Sequence, residues 1–190
     1  MSQSLQHNSK KYLSLLVLGS GEIARTLVSL AEPLHYHITV CDPQVNDHAW
    51  PAAVTLLNKN FNTVPYDLPA CTHAVIARAH EEDELSVLNL LQHNAEHVYL
   101  IASAKRAQSI IDYTTPLLTQ PESLNRLSAP AGLELGGNGS EEISLSILAE
   151  IQWRHHGSTA SLQPLSDLRA SRLVKSVTGQ RDQNCPGKRS

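Results

Sequence analysis

The feature that most constrains the fold of this chain is the alternation of short apolar runs with helical repeats. Apolar or β-branched runs occupy residues 13–18, 37–42, 73–77 and 97–102. Such runs are typical of strands buried on both faces of a sheet. Segments with helical periodicity separate them, which is the pattern of an α/β fold. We therefore predict a Rossmann-like, doubly wound parallel sheet in which these four strands are adjacent and helices cover both faces.

The predicted helices follow from apolar stripes and from residues that stop helices. The first covers residues 22–32 and includes Leu30 in its buried stripe, and the second covers residues 81–94 and includes Leu85. Acidic residues crowd the first turn of the second helix, where the helix dipole favours them. Further helices are predicted at residues 104–113, 121–127 and 141–156, and a short edge strand is predicted at residues 54–57.

The length of 190 residues corresponds to about one domain. We divide the chain into an N-terminal extension (1–12), a Rossmann-like domain (13–157) and a basic tail (158–190) whose polar composition predicts a loosely held segment. The net charge of -3 is not that of a nucleic-acid-binding protein, so we expect no nucleic-acid partner. A basic tail can contact an acidic partner, but it is more often a solvated end.

Cysteine usage and hydropathy indicate the compartment. Cys41, Cys71 and Cys185 are widely spaced and form no disulfide framework, which favours a reducing environment. No apolar run approaches the roughly 18 residues of a membrane span. We therefore expect a cytoplasmic protein without membrane association. The ten histidines form no H-E-x-x-H motif, and we predict no metal site and assign no catalytic residue.

A glycine turn is the first candidate binding site. Residues 19–24 read G-S-G-E-I-A, a G-x-G-x-x-A motif between a predicted strand and a predicted helix. Gly19 would permit the tight turn, and Gly21 would let a phosphate approach the backbone at the helix start. Asp42 ends the second strand, where a dinucleotide fold places the carboxylate that binds a ribose. The alternative is that the glycines only shape the turn, and the Glu22 carboxylate disfavours an anion there.

Two further groups of residues could bind an anion. Residues 132–139 contain four glycines, including Gly132 and Gly136, and could present backbone N–H groups to an anion or serve as a connector. His80 follows the third predicted strand, and Ser103, Lys105 and Arg106 follow the fourth. All four would lie at the carboxyl edge of a parallel sheet, where α/β proteins bind ligands. The alternative is that each is an ordinary surface residue.

Several of these segments also resemble a known family. The chain is similar to the Rossmann-type domain of the xanthine dehydrogenase accessory proteins, the XdhC/CoxI family. The similarity covers the glycine turn, the acidic end of the second strand, and the stretches A-R-A-H at residues 77–80 and I-A-S-A-K-R at residues 101–106. The most specific part reads P-A-G-L-E-L-G-G at residues 130–137, E-E-I at residues 141–143 and S-I-L-A-E-I at residues 146–151.

The resemblance implies an accessory role rather than catalysis. A protein of this kind would bind molybdenum cofactor and assist its sulfuration or its insertion into a molybdenum hydroxylase such as xanthine dehydrogenase, and a homodimer is one expected state. The chain departs from the family pattern at Arg78, where the family has histidine, and at Ala102, where it has glycine. Two alternatives remain open, an NAD(P)-binding oxidoreductase or redox sensor that uses Asp42, and an interaction domain that has lost its ligand.

Overall fold

A computed structural model describes residues 13–46, 50–59, 70–78 and 83–157 of the chain. The chain divides into two compact units, Met1–Gln152 and Trp153–Ser190. The account below concerns the first unit, since the second is described only at residues 153–157. The predicted extension at residues 1–12 and the predicted tail at residues 158–190 lie outside the described residues, so the proposed domain boundaries stay predictions.

Within the described residues, six parallel strands form one sheet in the order β3-β2-β1-β4-β5-β6. This arrangement confirms the prediction of an α/β fold with four adjacent parallel strands, and its order is that of a Rossmann fold. The predicted edge strand is confirmed as β3. The two-residue β6 was not predicted. The strands are β1 Ser14–Leu18, β2 His37–Cys41, β3 Thr55–Leu57, β4 Cys71–Ile76, β5 Ala95–Leu100 and β6 Leu127–Ser128.

In the described part of the chain, four α-helices connect or follow the strands. They are α1 Glu22–Ala31, α2 Asp83–Asn89, α3 Ala104–Thr114 and α4 Ser140–His155. A single π-helical turn, Leu90–Asn94, continues α2 directly into β5. The predicted helix at residues 121–127 is a 3₁₀ helix, Pro121–Arg126. Each predicted helix is therefore present in the described residues, with ends that differ by a few positions.

The sheet separates two apolar layers. Alternate residues of β1 point to opposite faces, so Leu15 and Val17 pack with α1 and α4. Leu16 and Leu18 pack on the other face, with α2 and α3. Helices on both faces confirm the doubly wound arrangement. Because both faces are covered, β1 is buried from Leu15 to Leu18, which explains its nearly continuous apolar sequence.

Two residues of the predicted apolar stripes were placed wrongly. Leu30 on α1 is 36% exposed and Leu85 on α2 is 38% exposed. In α1 the buried positions follow the spacing 24, 27, 28 and 31, and Leu30 lies off that stripe. In α2 the buried positions are 83, 86 and 87. The predicted stripe of α2 is wrong at Leu85 because the buried face of this helix includes Asp83, an acidic residue that an apolar pattern does not place in the core.

Candidate functional site

The carboxyl edge of the sheet brings the ends of neighbouring strands together. Gly19 follows β1, Asp42 follows β2, and Arg78 lies two residues after β4. Backbone hydrogen bonds extend the ladders past the strand ends, from Gly19 N to Cys41 O at 3.0 Å and from Ala77 N to Leu18 O at 2.8 Å. Since β2 and β4 flank β1, the strand order reverses at β1, where α/β sheets form a ligand-binding crevice.

Gly19 and Gly21 play different parts in the turn after β1. Gly19 has a φ of 116°, and a Cβ atom there would lie 2.9 Å from the Ala77 carbonyl oxygen. Only glycine fits this position without strain. Gly21 is the N-cap of α1 with an ordinary φ of -73°, no side chain caps the helix, and a Cβ atom would meet nothing within 4 Å. The helix start thus faces open space, as an anion-binding turn requires.

Asp42 lies directly after β2, as the sequence predicts. Its Oδ1 atom accepts a hydrogen bond from the backbone N–H of Gln44 at 2.7 Å, and its own N–H donates to Leu57 O at 3.1 Å. The side chain is only partly buried. One carboxylate oxygen therefore shapes the turn after β2, and the position at the edge agrees with the predicted place of a ribose-binding carboxylate.

Ser103 and Lys105 start α3 at the same edge. Ser103 is the N-cap, and its hydroxyl accepts a hydrogen bond from the Arg106 backbone N–H at 3.3 Å. Lys105 is exposed in the first helical turn. Ser103 thus has a structural task in addition to its predicted binding role. His80, the other residue predicted for this edge, lies outside the described residues.

An ionic cluster that the sequence did not reveal joins three elements at this edge. The Asp83 carboxylate, at the first residue of α2, is fully buried. Arg78 Nε lies 3.7 Å from Asp83 Oδ1, and Arg106 Nη2 lies 3.4 Å from Asp83 Oδ2. The only signal in the sequence is an acidic helix start between two segments that each carry an arginine. This pattern does not predict a buried cluster, because the helix dipole favours acidic residues at any helix start and such residues are ordinarily exposed.

Gly132 is held by the last helix. It has a φ of 104°, and a Cβ atom there would overlap the Ser146 hydroxyl. Its N–H donates to Glu150 Oε2 at 2.8 Å, while the Ser128 hydroxyl donates to Glu150 Oε1 at 2.6 Å. Glu150 is 6% exposed, so these hydrogen bonds help to satisfy a buried carboxylate. These contacts give Gly132 a packing role, while its predicted part in binding stays a prediction.

The glycine-rich segment before α4 is occupied by the chain's own carboxylates. Gly136 N–H donates to Glu134 Oε1 at 3.1 Å, and Gly139 N–H donates to Glu142 Oε2 at 2.9 Å. The second contact is one half of a capping box at the start of α4. Ser140 links the two helix starts, because its hydroxyl donates to Glu22 Oε1 at 3.1 Å. Acidic groups therefore lie at both glycine turns, and the binding role predicted for Gly136 stays a prediction.

The two thiols in the described part of the chain are not suited to nucleophilic chemistry. Burial, followed by the charge of Asp42, raises the pKa of the Cys41 thiol to about 11. Burial, followed by the charge of Glu96, raises the pKa of the Cys71 thiol to about 12. Both thiols are therefore protonated at neutral pH, and the thiolate is the reactive form.

No three His, Cys, Asp or Glu side chains in the described ranges come together as a metal site would need. None of the helices in the described part of the chain has the length and apolar character that crossing a bilayer requires.

A depression of about 300 Å³ lies beside β3 and is lined by Trp50, Pro51, Ala52, Val54 and Leu56. It shares no lining residue with the predicted site.

Comparison with known families identifies the fold. The family model of the XdhC Rossmann domain matches residues 15–151, which include the glycine turn, the ionic cluster and α4 up to Ile151. This chain belongs to the XdhC Rossmann domain family. The match confirms the resemblance that the motifs after β1, β2 and β5 and in the segment from Pro130 to α4 suggested.

Two curated relatives of this XdhC-type chain are each 27% identical to it. It is 27% identical over 143 residues to the uncharacterized protein YqeB of Escherichia coli (strain K12), covering 72% of this chain and 26% of the relative. It is 27% identical over 148 residues to a probable xanthine dehydrogenase subunit of Bacillus subtilis (strain 168), covering 72% of this chain and 41% of the relative. The chain thus spans less than half the length of these relatives.

A solved structure shows the same fold. The crystal structure of a xanthine dehydrogenase from Bacillus halodurans matches with a TM-score of 0.64 at 21% identity, over 83% of this chain and 46% of that chain. At this identity the match supports the Rossmann-like architecture alone. The XdhC-type chain again spans about half of the protein that it resembles.

Proposed function

We propose that this XdhC-type chain is an accessory protein that binds molybdenum cofactor as cargo. In this role it would assist the cofactor's sulfuration or its insertion into a molybdenum hydroxylase such as xanthine dehydrogenase. Family membership supports the proposal, as does the 27% identity to a probable xanthine dehydrogenase subunit. Because the chain spans only part of that relative, the hydroxylase partner and a homodimeric state are both part of the proposal.

The observation that carries the proposal is the composition of the carboxyl edge. An uncapped helix start lies open above Gly21, and Lys105 is exposed at the start of α3 on the same edge. The cargo combines a pterin, a phosphate and an anionic dithiolene-bound metal. Backbone N–H groups and a lysine suit such anionic groups, so the residues present fit the cargo. Their task is to bind and orient it.

Asp42 supports a second candidate, the binding of NAD(P). Its position at the end of β2 is where a dinucleotide fold binds the ribose hydroxyls. The Glu22 carboxylate opposes this candidate, because Ser140 holds it in the first turn of α1, where a diphosphate would lie. Like charge at that point disfavours any phosphate, so it also opposes the phosphate of the molybdenum cofactor there, and it opposes the two adjacent phosphates of NAD(P) more strongly.

Three variants separate these candidates. Asp42→Ala removes a carboxylate that would bind a ribose diol, whereas a pterin has no such diol. If NAD were the ligand, loss of charge-assisted hydrogen bonds should weaken its binding by about a hundredfold. We expect instead that Asp42→Ala leaves binding of the cofactor nearly unchanged and that Lys105→Ala weakens it. His80→Ala should weaken it as well.

The measurement is isothermal titration of wild type and the variants with NAD, NADP and molybdenum cofactor released from a donor enzyme. We expect wild type to bind the cofactor and to bind NAD no better than high micromolar. If wild type binds NAD tightly and Asp42→Ala loses that binding, the accessory role is wrong and an NAD(P)-binding oxidoreductase is favoured. A wild-type protein that binds none of the three would instead favour an interaction domain without a ligand.

A further inference from the structure

The glycine-rich turn before α4 contains a dipeptide that can modify itself covalently. Residues 138–139 read Asn-Gly, and Asn138 is the one asparagine of the chain that precedes a glycine. We propose that Asn138 is a site of spontaneous deamidation and that the Glu142 carboxylate controls the rate of this reaction. The modification is independent of the cargo-binding function above, so either can be wrong without the other.

The reaction needs only these two residues and water. The backbone nitrogen of Gly139 loses its proton to hydroxide and attacks the side-chain Cγ atom of Asn138, so that a C–N bond forms. The bond between Cγ and the amide nitrogen Nδ2 breaks, and ammonia leaves with a proton taken from water. Water then opens the succinimide ring at either carbonyl and yields aspartate or isoaspartate. The net change is hydrolysis of an amide, and no electrons are transferred.

The position of the dipeptide in the fold favours this reaction. Asn138 and Gly139 are both exposed, so water and hydroxide reach them. Gly139 has no Cβ atom, and nothing on this residue obstructs the approach of its nitrogen to the neighbouring side chain. Its carbonyl accepts the Ile143 N–H at 2.9 Å, which makes Gly139 the N-cap of α4. The attacking nitrogen therefore precedes the hydrogen-bond ladder of the helix and is not held by it.

Glu142 holds the attacking nitrogen in its unreactive, protonated form. The Gly139 N–H donates to Glu142 Oε2 at 2.9 Å. The Glu142 side chain lies so close to Gly137 that a Cβ atom on Gly137 would overlap its carboxylate. The negative charge of the carboxylate strengthens the hydrogen bond and opposes formation of a nitrogen anion beside it. Because deamidation must break this hydrogen bond, Glu142 should slow the reaction.

Deamidation at Asn138 would change the start of α4. The succinimide nitrogen carries no hydrogen, so the capping hydrogen bond to Glu142 is lost when the ring forms. Isoaspartate then lengthens the backbone immediately before the helix. Either product adds a carboxylate next to Ser140, whose hydroxyl already contacts the Glu22 and Glu141 carboxylates. The modified protein should therefore have a less stable first turn of α4.

The test follows the full-length protein during incubation at mildly alkaline pH. Peptide mapping by mass spectrometry measures the conversion of amide to acid at each asparagine, and enzymatic methylation measures isoaspartate. Asn58 and Asn125 are the internal references, because both are exposed and precede residues with long side chains. We expect Asn138 to lose its amide before either reference does, with isoaspartate among the products. Retention of the Asn138 amide for as long as the two references retain theirs would overturn the site.

Variants at Gly139 and Glu142 test the mechanism. Gly139→Ala should slow the loss of the amide, because its Cβ atom obstructs the attack. That atom would lie 3.3 Å from the end of the flexible Glu142 side chain, so the fold can accommodate it.

Glu142→Gln keeps a capping acceptor but removes the charge, and it should accelerate the loss by about threefold or more. Glu141→Gln is the matched control, since the Glu141 carboxylate accepts from the Ser140 hydroxyl and the Gly139 N–H donates to Glu142 instead. Its rate should equal that of wild type. Circular dichroism and thermal melting check that each variant is folded. A folded Glu142→Gln protein that deamidates no faster than Glu141→Gln would show that Glu142 does not control the reaction.

Discussion

Gly19 and Gly21 belong to one motif but are subject to different physical constraints. Gly19 combines a left-handed backbone conformation with a close approach to the Ala77 carbonyl, so its requirement comes from the fold. Gly21 has an extended-region backbone and open space where a side chain would be, so the fold itself does not require glycine at this position. A change at Gly19 should therefore affect mainly stability, and a change at Gly21 should affect mainly ligand binding.

Gly19→Ala and Gly21→Val test this separation. Gly19→Ala should lower the free energy of unfolding by about 1–3 kcal/mol, because alanine would be strained at a φ of 116° and crowded by a backbone oxygen. Gly21→Val should retain most of the helix content while it abolishes cofactor binding, since its side chain would fill the anion's path. Urea denaturation, circular dichroism and ligand titration are the measurements.

The opposite pattern would show that the glycines have been misassigned. If Gly21→Val binds ligand as wild type does, Gly21 only shapes the turn. If Gly19→Ala is as stable as wild type, the close approach to Ala77 is not present in solution. Gly136→Ala is a useful reference for the backbone contribution alone, since Gly136 has a φ of 83° and nothing within 4 Å of a Cβ atom.

Helix α3 depends on Ser103 for its N-terminal cap, and the cap adjoins the proposed binding edge. The Ser103 hydroxyl satisfies one of the helix's unpaired N–H groups, that of Arg106. The same backbone segment carries Lys105 and the Arg106 guanidinium. A change at Ser103 can therefore act through the helix or through the ligand, and a pair of variants separates the two.

Ser103→Ala should lower the free energy of unfolding by about 0.5–2 kcal/mol, because alanine cannot accept the capping hydrogen bond. Ser103→Asp should retain stability, because aspartate caps helices as well as serine does. It should nevertheless weaken anion binding, since a carboxylate would lie beside Lys105. Thermal melts and titration with molybdenum cofactor released from a donor enzyme are the measurements. A Ser103→Asp protein with unchanged anion affinity would place the ligand away from α3.

Helix α4 is tied to the rest of the fold by contacts from distant parts of the sequence. Glu150 accepts hydrogen bonds from Ser128 and Gly132, and the Ser144 hydroxyl donates to Ile23 O on α1 at 3.1 Å. The motif shared with the XdhC family at residues 130–151 is thus largely accounted for by packing between the β6 loop and α4. It identifies the fold more directly than it identifies a ligand.

The free energy of unfolding should fall as the pH rises in the alkaline range, because two thiols are buried in the fold. In the unfolded chain the thiols ionise near their ordinary pKa of 9.0, whereas in the fold the pKa of Cys41 is about 11 and that of Cys71 is about 12. Below pH 9 this effect is absent. As the pH rises from 9 toward 11 and 12, the unfolded state loses protons that the folded state retains, so stability falls.

Each thiol should lower the free energy of unfolding by at most about 1.4 kcal/mol per pH unit over that interval. Urea midpoints measured from about pH 8 to about pH 10.5 test this, with Cys71→Ala as the comparison. The variant loses some packing at every pH, so the slopes rather than the absolute values are compared. Equal slopes in the two proteins above pH 9 would show that Cys71 is accessible to solvent in the fold.

Local patterns were enough to predict the α/β class, the order of helices and strands, and the place of Gly19, Gly21 and Asp42. These features depend on side-chain periodicity and turn chemistry over a few residues, which one segment contains. Ser103 and Lys105 could also be assigned to the same edge as the glycine turn, because parallel strands end on the same side of a sheet. The family resemblance was the basis for proposing an accessory role.

Contacts between distant segments could not be predicted in this way. Asp83 looks like an exposed acid at a helix start, but in the fold it is buried beside Arg78 and Arg106. Glu150 looks like a polar residue within an apolar helix, but in the fold it accepts hydrogen bonds from Ser128 on β6 and from Gly132 in the following loop. Burial of a charge is stable only where partners from other elements converge. That convergence is a property of the packed fold, and no local pattern in the sequence encodes it.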